Sequence, residues 1–388
     1  MPGRHIKLRR IVMEKEPLLM LPGPVPVPER VRLAMARQAI NHRSPEFGAV
    51  YADCVRCLKP AFGTENDVVI ISGSGTAGME AAVANFGKGK RIACLVNGKF
   101  GERLYDISKR YGEPTLLASE WGTPLPLEAL AASLEDGAEV VTLVHNETSA
   151  GIRNPAHEVG KLCRKHDALF VMDGVTSIGG DVVEADRWGV DVAIVGSQKC
   201  LAAPAGLAAV SISDRAMERI ADTRPYYLDL AAYRKNAAKD PMETPYTPAV
   251  PLFFALREAG LLIEEEGIEH RVMRHQRLAQ AVRAAAEAWG LPLFPTTDAL
   301  HGYSNTVTAI RMPEETTDSD LRGLVKKLGV VIAGGQDHLK GKIFRIGHMG
   351  AVGAPEILAT LGAVQAAMGR LGCEHSGDGV AAAAAHLA

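Results

Sequence analysis

The stretch Val190-Asp-Val-Ala-Ile-Val-Gly-Ser-Gln-Lys199 decides how the rest of the chain is interpreted. Its short, β-branched run ends abruptly in Gly-Ser-Gln-Lys, which is typical of a buried central strand in a parallel sheet. Such a strand brings the amine of Lys199 to its carboxyl end. Upstream, Ala168-Leu-Phe-Val-Met-Asp173 has the same pattern and ends in a carboxylate. Because open α/β sheets bind ligands outside the carboxyl ends of their strands, both side chains are expected in one crevice.

An amine and an acid at neighbouring strand ends indicate a particular chemistry. A buried lysine with a lowered pKa is the usual residue that forms a Schiff base. An aspartate that faces a pyridinium nitrogen is the other half of pyridoxal-phosphate chemistry. The pair Lys199 and Asp173 therefore predicts a pyridoxal-phosphate site, which the remaining motifs can support or weaken.

A glycine-rich motif nearer the N-terminus predicts a phosphate site. Val68-Val-Ile-Ile71 has the pattern of a buried strand, and Ser72-Gly-Ser-Gly-Thr-Ala-Gly-Met-Glu80 follows it directly, with a helix expected over residues 77–86. Backbone N–H groups at a helix N-terminus, with the hydroxyls of Ser74 and Thr76, form a natural phosphate cradle. The motif is neither G-x-G-x-x-G nor a Walker loop. A tight strand–helix turn without a ligand is the alternative.

Strands and helices alternate through the first two thirds of the chain. Residues 91–96 and 140–144 predict strands that lead into the loops Asn97-Gly-Lys-Phe-Gly101 and His145-Asn-Glu-Thr-Ser-Ala-Gly151. Phe100 lies just beyond a strand end, where it either stacks on a flat ring or packs in the core. The alternation predicts a doubly wound, mostly parallel sheet with several loops converging on one edge.

The chain is expected to have three parts. Leu21-Pro-Gly-Pro-Val-Pro-Val-Pro28 carries four prolines, which forbid a helix and favour an extended segment. Residues 202–213 predict a turn and an antiparallel strand, whereas residues 222–251 predict a long Pro/Tyr-rich loop. Residues 252–291 predict a long helical stretch with a break near Gly267. The expected domains are an N-terminal arm (1–28), a large cofactor-binding domain (29–255) and a smaller α+β domain (256–388).

Composition excludes several classes of function. The 388 residues include 43 basic and 45 acidic ones, so no strong field draws the chain to nucleic acid or an anionic membrane. No run approaches the roughly 20 apolar residues of a membrane span. Leu18-Leu-Met-Leu21 is too short for the apolar core of a signal peptide. A soluble cytoplasmic protein is the expectation.

Six cysteines in a chain of this length do not form a disulfide framework. Cys54-Val-Arg-Cys57 is a lone C-x-x-C in a helical pattern, so helix packing is preferred to redox chemistry and no metal is expected. Cys200, which follows the lysine, is interpreted as a small apolar filler. The loop His42-Arg-Ser-Pro-Glu-Phe47 is either an active-site loop or a simple connection, with Ser44 as N-cap and Pro45 in the first turn of a helix.

With its motifs taken together, the chain resembles the class V aminotransferases of fold type I. The resemblance is carried by Ser72-Gly-Ser-Gly-Thr76, Asp173-Gly-Val175 and Gly196-Ser-Gln-Lys199, and it extends over nearly the whole chain. It is strongest to the branch of alanine–glyoxylate and serine–pyruvate aminotransferases. Further matching motifs are Pro22-Gly-Pro24, Thr247-Pro248 and Arg345-Ile-Gly-His-Met-Gly350.

The resemblance implies a role for each matching residue. Lys199 would form the Schiff base with pyridoxal 5'-phosphate and then serve as acid and base in the 1,3-proton shift. Asp173 would pair with the pyridine nitrogen, and Phe100 and Val175 would cover the two faces of the ring. Thr148 would donate a hydrogen bond near the polar edge of the ring.

The resemblance also implies how the phosphate and the substrate would be held. Arg345 would bind the substrate α-carboxylate as a bidentate fork, a task that lysine performs poorly. Thr247 would reach the phosphate from the other subunit of a homodimer. The remaining phosphate-binding residues would be Ser74, Gly75, Thr76 and Gln198.

The implied activity is transfer of an amino group from alanine or serine to glyoxylate or pyruvate by a ping-pong mechanism. Aspartate or an ureido amino acid as donor is an alternative with the same chemistry. A lyase or desulfurase acting on cysteine would need a reactive thiol in a mobile loop; Cys200 adjoins the lysine but should point away from the cofactor, and Cys373 lies in the C-terminal tail. A non-catalytic subunit with the same fold is the third possibility.

Overall fold

A computed structural model describes residues 16–374 and 376–387. Residues 1–15 of the expected N-terminal arm lie outside this range. Within the described residues, no helix is both long enough and apolar enough to cross a membrane.

The strands of the fold are short, and most are apolar. They are β1 (Leu18–Leu19), β2 (Asp67–Ser72), β3 (Arg91–Val96), β4 (Glu113–Ala118), β5 (Val140–Val144), β6 (Asn146–Glu147), β7 (Ile152–Arg153), β8 (Leu169–Asp173), β9 (Val192–Gly196), β10 (Leu207–Ile212), β11 (Gly302–Tyr303), β12 (Val307–Arg311), β13 (Val330–Val331), β14 (Ala333–Gly334) and β15 (Ile343–Gly347).

The helices connect these strands and cover the sheet. They are α1 (Glu29–Ala34), α2 (Pro45–Phe62), α3 (Gly75–Phe86), α4 (Lys99–Tyr111), α5 (Leu127–Glu135), α6 (Ala156–Lys165), α7 (Ala185–Trp188), α8 (Asp214–Met217), α9 (Leu230–Ala237), α10 (Val250–Glu266), α11 (Ile268–Ala288), α12 (Asp318–Lys327), α13 (Ala354–Leu371) and α14 (Gly379–Leu387). A short 3-10 helix covers Asp337–Leu339.

The centre of the fold is a seven-stranded sheet in the order β2-β10-β9-β8-β5-β3-β4. Its neighbouring strands are parallel except for β10, which is antiparallel to both β2 and β9. The inner strands β5, β8 and β9 are buried at every position, as expected of parallel strands covered on both faces. The predicted doubly wound, mostly parallel α/β fold is confirmed.

The register of the sheet explains why polar loops meet at one edge. Val144 at the end of β5 lies opposite Asp173 at the end of β8, which in turn lies opposite Ile194 near the end of β9. The chain therefore leaves all three strands along one line. Side chains that follow these strands share the crevice outside the sheet edge.

Helices pack on both faces of the sheet because the strand side chains alternate in direction. Val68 and Ile70 of β2 face the core built with α2, α5, α6 and α10, whereas Val69 and Ile71 face the core built with α3, α4 and α9. A separate apolar core lies between α11, α12, α13, α14 and the sheet β12-β15-β14. The division at residues 28 and 255 stays a prediction. α10 continues past residue 255, and its residues Leu256, Ala259 and Ile263 still pack in the core of the large sheet.

Helix boundaries follow the local signals in the sequence at several places. Ser44 precedes α2 and its hydroxyl accepts a hydrogen bond from Phe47 N at 3.4 Å, with Pro45 in the first turn as predicted. The break between α10 and α11 falls at Gly267, whose φ of +77° is readily accessible only to glycine.

One segment is more ordered than the sequence interpretation predicted, and a further helix forms near the C-terminus. The expected loop over residues 222–251 contains α9, whose first turn is capped by Asp229 through Ala231 N and Ala232 N. The Ala/Gly-rich tail forms α14, which packs on α11. Alanine is the strongest helix former, so the tail needed only an apolar surface to pack against.

Candidate active site

A cavity of about 110 Å³ opens at the carboxyl edge of the large sheet. Its walls come from the loops that follow β2, β3, β5, β8 and β9. Met79, Arg103, Val144, Asn146 and Thr176 contribute to it without having been singled out from the sequence. Nine of the predicted site residues line it, namely Ser74, Gly75, Thr76, Phe100, Thr148, Asp173, Val175, Gln198 and Lys199.

Lys199 follows the end of β9 and lies beneath an N-terminal segment of its own chain. Its Nζ donates a hydrogen bond to the carbonyl oxygen of Pro22. Gly23 has a φ of +101°, and a Cβ there would come within 2.4 Å of Lys199 Cδ, so only glycine lets the segment approach so closely. Burial lowers the pKa of the Lys199 amine to about 8. A substantial share of the amine is therefore neutral near physiological pH.

Asp173 is the last residue of β8 and is buried. Its Oδ1 accepts a hydrogen bond from Val175 N at 2.7 Å. Burial nevertheless raises the pKa of the Asp173 carboxyl to about 6, although the positive charges of Arg103 and Lys199 act in the opposite direction. A cationic partner in the cavity would favour the ionised carboxylate. The positive charges of its own chain are thus not enough to keep the pKa of the Asp173 carboxyl at its ordinary value.

The phosphate end of the cavity lies at the N-terminus of α3. Ser74 is the N-cap residue, but no side chain caps this helix and its first turn contains no acidic residue. Its leading N–H groups can therefore bind an anion. A Cβ on Gly75 would lie 2.9 Å from Val175 Cγ2, so glycine keeps this turn open. Gln198 also lines this end, and its side-chain amide can donate to an anion through Nε2. These features fit a cofactor that carries a phosphate.

Arg103 stands beside Phe100 in the wall of the cavity. The Arg103 guanidinium lies 4.7 Å from the centroid of the Phe100 ring, and its Nη1 donates to Thr76 Oγ1 at 3.2 Å. Residues three apart on a helix share a face, so this spacing on α4 was the signal that could have revealed Arg103. The cation joins the loop after β3 to the phosphate end of the site.

A polar wall of the cavity follows β5. Thr148 Oγ1 lies 2.8 Å from Thr176 Oγ1, and Asn146 Nδ2 donates to the Thr176 carbonyl oxygen at 3.1 Å. Asn146 also donates to Thr306 Oγ1, which connects this wall to the segment before β12. Asn146 Oδ1 is buried without a partner among the described residues. The wall therefore retains an unused acceptor close to Thr148.

Glu147 is a buried residue that the sequence interpretation missed. Its Oε2 accepts hydrogen bonds from Phe100 N and Gly101 N, each at 3.0 Å, at the start of α4. Burial raises the pKa of the Glu147 carboxyl. Gly98 allows the close approach, because a Cβ there would lie 2.3 Å from Glu147 Cγ. Glu147 thereby fixes the helix that carries Phe100 and Arg103.

Arg345 lies on β15 near this wall but does not line the cavity. Its guanidinium donates to the carbonyl oxygen of Gly334 through Nε at 3.0 Å and Nη2 at 2.8 Å, and to that of Thr148 through Nη1 at 2.9 Å. Burial lowers the pKa of Arg345 to about 10. No carboxylate of the described residues forms an ion pair with it. The cation is held by neutral carbonyls and remains available to an anionic ligand.

Other residues singled out from the sequence lie elsewhere. Thr247 is exposed and does not line the cavity of its own chain. Arg43 pairs with Glu243 at 2.7 Å and does not line the cavity of its own chain. Cys200 is buried with its Sγ 3.3 Å from the Thr176 carbonyl oxygen, and burial raises the pKa of its thiol to about 12. Cys54 is buried in the core against α10.

Comparison with known proteins gives the same assignment as the crevice. The family model described as aminotransferase class-V matches residues 33–346. An uncharacterized aminotransferase of Methanocaldococcus jannaschii is 48% identical over 371 residues, covering 94% of this chain and 95% of that protein. The small subunit of a Synechococcus soluble hydrogenase is 42% identical over 383 residues, covering 96% and 98%. The serine–glyoxylate aminotransferase of Arabidopsis thaliana is 36% identical and covers 100% and 96%.

Solved structures support the fold over nearly the full length. The ureidoglycine–glyoxylate aminotransferase of Bacillus subtilis superimposes with a TM-score of 0.90 at 31% identity, covering 97% of this chain and 99% of that one. An aspartate aminotransferase of Thermus thermophilus superimposes with a TM-score of 0.85 at 33% identity, covering 91% and 99%.

Proposed function

The chain belongs to the class V aminotransferases, which depend on pyridoxal phosphate, and we propose that it transfers an amino group from alanine or serine to glyoxylate or pyruvate. The observation that carries this proposal is the crevice in which the Lys199 amine, the Asp173 carboxyl and the uncapped start of α3 line one cavity. An amine, an acid and an anion site are the three groups that a pyridine aldehyde bearing a phosphate requires.

Lys199 and Asp173 divide the work of the proposed reaction. When bound, pyridoxal phosphate supplies an electron sink that stabilises negative charge on the α-carbon of the substrate. Lys199, with its pKa lowered by burial to about 8, would attach to the cofactor and afterwards carry the proton away from that carbon. Asp173 would hold a proton on the pyridine nitrogen. These roles follow the resemblance, and the geometry supports them.

Arg345 is the proposed clamp for the substrate α-carboxylate. A planar guanidinium binds a carboxylate through two parallel hydrogen bonds, which also fixes the orientation of the α-carbon. The present partners of Arg345 are the carbonyl oxygens of Gly334 and Thr148, so a carboxylate would add the missing negative charge. The clamp would bind the α-carboxylate, which all amino acids share. The residues that line the cavity would then select the side chain.

The donor is the least determined part of the proposal. The relatives act, by their names, on serine, ureidoglycine or aspartate, and two of them use glyoxylate as acceptor. Arg345 is the one arginine that the matching motifs assign to a substrate carboxylate, and the second carboxylate of aspartate would need a further cation. Alanine and serine are therefore preferred as amino donors to aspartate and an ureido amino acid.

Two other activities have weaker support. Desulfuration of cysteine needs a reactive thiolate, but Cys200 is buried outside the cavity and Cys373 is also buried, with thiol pKa values that burial raises. The hydrogenase-subunit name of one relative suggests a component of a larger complex. The complete set of Lys199, Asp173 and the α3 cradle supports an enzyme instead.

The experiment that tests the proposal is a panel of amino donors with glyoxylate or pyruvate as acceptor, followed by chromatography of the products. With alanine or serine as donor, glyoxylate should be converted to glycine and the donor to its 2-oxo acid, with parallel lines in double-reciprocal plots. Turnover of aspartate alone would keep the enzyme class and change the donor. Sulfide released from cysteine without any transamination would contradict the proposal.

A homodimer and a cytoplasmic location complete the proposal. Tyr226 is 83% exposed and packs against Tyr246, next to the exposed Thr247, which gives an aromatic patch suited to a subunit contact. Light scattering on the purified protein would test the dimer, and a fully active monomer would refute it.

All six cysteines are free, as in a reducing compartment, and cell fractionation would test the location.

A further inference from the structure

We propose that Arg103 is a cofactor-binding residue that contacts the phosphate of pyridoxal phosphate beside Thr76, at the N-terminus of α3. This inference rests on the proposed function, because it requires the cofactor to occupy the cavity that Lys199 and Asp173 line. It adds a cation to a phosphate site that otherwise consists of backbone N–H groups, hydroxyls and one amide.

The position of Arg103 carries the first part of the argument. Arg103 lines the same cavity as residues 74–76, and its Nη1 lies 3.2 Å from Thr76 Oγ1. An anion that accepts a hydrogen bond from the Thr76 hydroxyl would therefore lie within reach of the guanidinium. Arginine binds phosphate through two parallel N–H groups, which suits this location.

The charge of Arg103 carries the second part. Among residues 16–374 and 376–387, no carboxylate forms an ion pair with Arg103, whereas Arg215 pairs with both Asp167 and Asp191. A half-buried cation without an anion is costly, and the cost is removed when a charged ligand binds beside it. The dianionic phosphate group is the anion that the proposed cofactor brings to this end of the cavity.

The helix that carries Arg103 is fixed before any ligand arrives. Glu147 accepts hydrogen bonds from Phe100 N and Gly101 N at the start of α4. The Phe100 ring then supports the guanidinium at 4.7 Å from its centroid. The cation is therefore held in place by the ring that the resemblance assigns to stacking on the cofactor, which reduces the ordering cost of binding.

A comparison of two compounds isolates the contribution of the phosphate group to cofactor binding. Pyridoxal phosphate and pyridoxal share the ring and the aldehyde and differ only in the phosphate. Both would be titrated into the apoprotein, with dissociation constants read from visible absorbance. Arg103→Gln should raise the dissociation constant of pyridoxal phosphate about 10- to 100-fold, the value of a charged hydrogen bond, and that of pyridoxal by less than about threefold.

Matched variants control for charge and for folding. Arg110→Gln removes the same charge from an exposed position of the same helix and should change neither constant. Arg103→Lys keeps the charge but loses the fork, so it should weaken pyridoxal phosphate by an intermediate factor. The lysine variant also carries the test if the glutamine variant does not fold, which thermal unfolding would reveal.

Each outcome decides the matter. An Arg103→Gln protein that binds pyridoxal phosphate as tightly as the wild type, or that loses both compounds equally, overturns the assignment of Arg103 and leaves the aminotransferase proposal standing. An unchanged ratio of the two constants with a raised KM for aspartate would assign the cation to a substrate carboxylate instead, which also overturns it. A wild-type protein that binds neither compound overturns both proposals.

Discussion

Two groups of buried and half-buried polar side chains lie close together in this fold and are satisfied in opposite ways. The first, here termed the junction cluster, consists of Glu266, Arg271, Arg274 and His275, where α10 meets α11. The second, termed the crevice cluster, consists of Arg103, Asp173, Gln198 and Lys199. Both groups are largely withdrawn from water, yet among the described residues only the junction cluster forms ion pairs.

The junction cluster is complete. Arg271 donates to Glu266 at 2.7 Å, to the Gly179 carbonyl oxygen at 3.1 Å and to that of Cys200 at 2.6 Å. Arg274 donates to Glu266 as well, at 2.6 Å. Burial alone would raise the pKa of Glu266, but Arg274 and Arg271 outweigh it and the pKa is lowered.

In the crevice cluster, burial prevails over the charges nearby. The pKa of the Asp173 carboxyl is raised to about 6 and that of the Lys199 amine is lowered to about 8, so both ionised forms are disfavoured. Gln198 keeps an unpaired buried oxygen. The comparison indicates that the junction cluster stabilises the fold, whereas the crevice cluster stores unsatisfied interactions that a ligand can complete.

The largest effect should come from Lys199→Ala, which removes the amine of the crevice cluster. We expect transamination to fall about a thousandfold or more, because the covalent attachment and the proton carrier are lost together. Single-turnover rates with alanine measure this loss. The apoprotein should become more stable below about pH 8, where the buried amine would have to be protonated, and this gain should fade toward pH 10.5. Unchanged turnover would contradict the role.

Arg271→Ala tests the junction cluster and should act on stability instead. Removing one partner from a buried, fully hydrogen-bonded ion pair costs about 3 to 5 kcal/mol. Urea unfolding of the apoprotein measures the loss, and the folded fraction should still bind pyridoxal phosphate normally. Lys161→Ala, which breaks an exposed pair with Glu158, is the matched control and should cost less than about 1 kcal/mol. If Arg271→Ala weakened cofactor binding without lowering the free energy of unfolding, the two clusters would not have the separate roles proposed here.

Asp173→Asn should stabilise the apoprotein above about pH 4. The folded-state pKa is raised from 3.8 to about 6, so ionised Asp173 destabilises the apoprotein above pH 6 and not below about pH 4. The variant should therefore gain up to about 3 kcal/mol over the wild type as the pH rises through this window. Unfolding of both apoproteins at several pH values measures the gain. A pH-independent difference would show that Asp173 is not strained by its charge.

Arg345→Lys should give the smallest effect, because Arg345 already has carbonyl partners from the chain. We expect kcat/KM for alanine to fall about 10- to 100-fold through loss of the two-point contact with the carboxylate. Cofactor affinity should not change. Steady-state kinetics with alanine and with ethylamine, which lacks the carboxylate, make the comparison, and an equal loss for both amines would exclude the clamp.

Much of the fold and part of the site could be predicted because their signals are local. Buried parallel strands are continuous apolar runs, so the ends of β8 and β9 could be identified from the sequence. Asp173 is the last residue of β8, and Lys199 follows the end of β9 by three residues. The start of α2 followed from Ser44 and Pro45. The geometry of the sheet edge then follows from the rule that parallel strands direct their loops to one side.

The parts that could not be predicted depend on contacts between distant segments. Glu147 caps α4 by accepting hydrogen bonds from backbone groups that lie 46 and 47 residues earlier in the sequence. The sequence around Glu147 therefore does not indicate this role. The sequence places Arg103 on the helix face of Phe100, but its contact with Thr76 depends on a distant segment. The tail forms α14 only because α11 offers an apolar surface. Pattern within one segment cannot reveal such partners.

The central claim is that the crevice cluster is completed by a cofactor which accepts and returns an amino group. The most direct test is the visible absorbance of the purified holoprotein after excess L-alanine and then after glyoxylate. The account predicts that alanine abolishes the band of the lysine-bound cofactor and that glyoxylate restores it, so both half-reactions are seen in one cuvette. A band that responds to no amino acid, or no band even after pyridoxal phosphate is added, would contradict it.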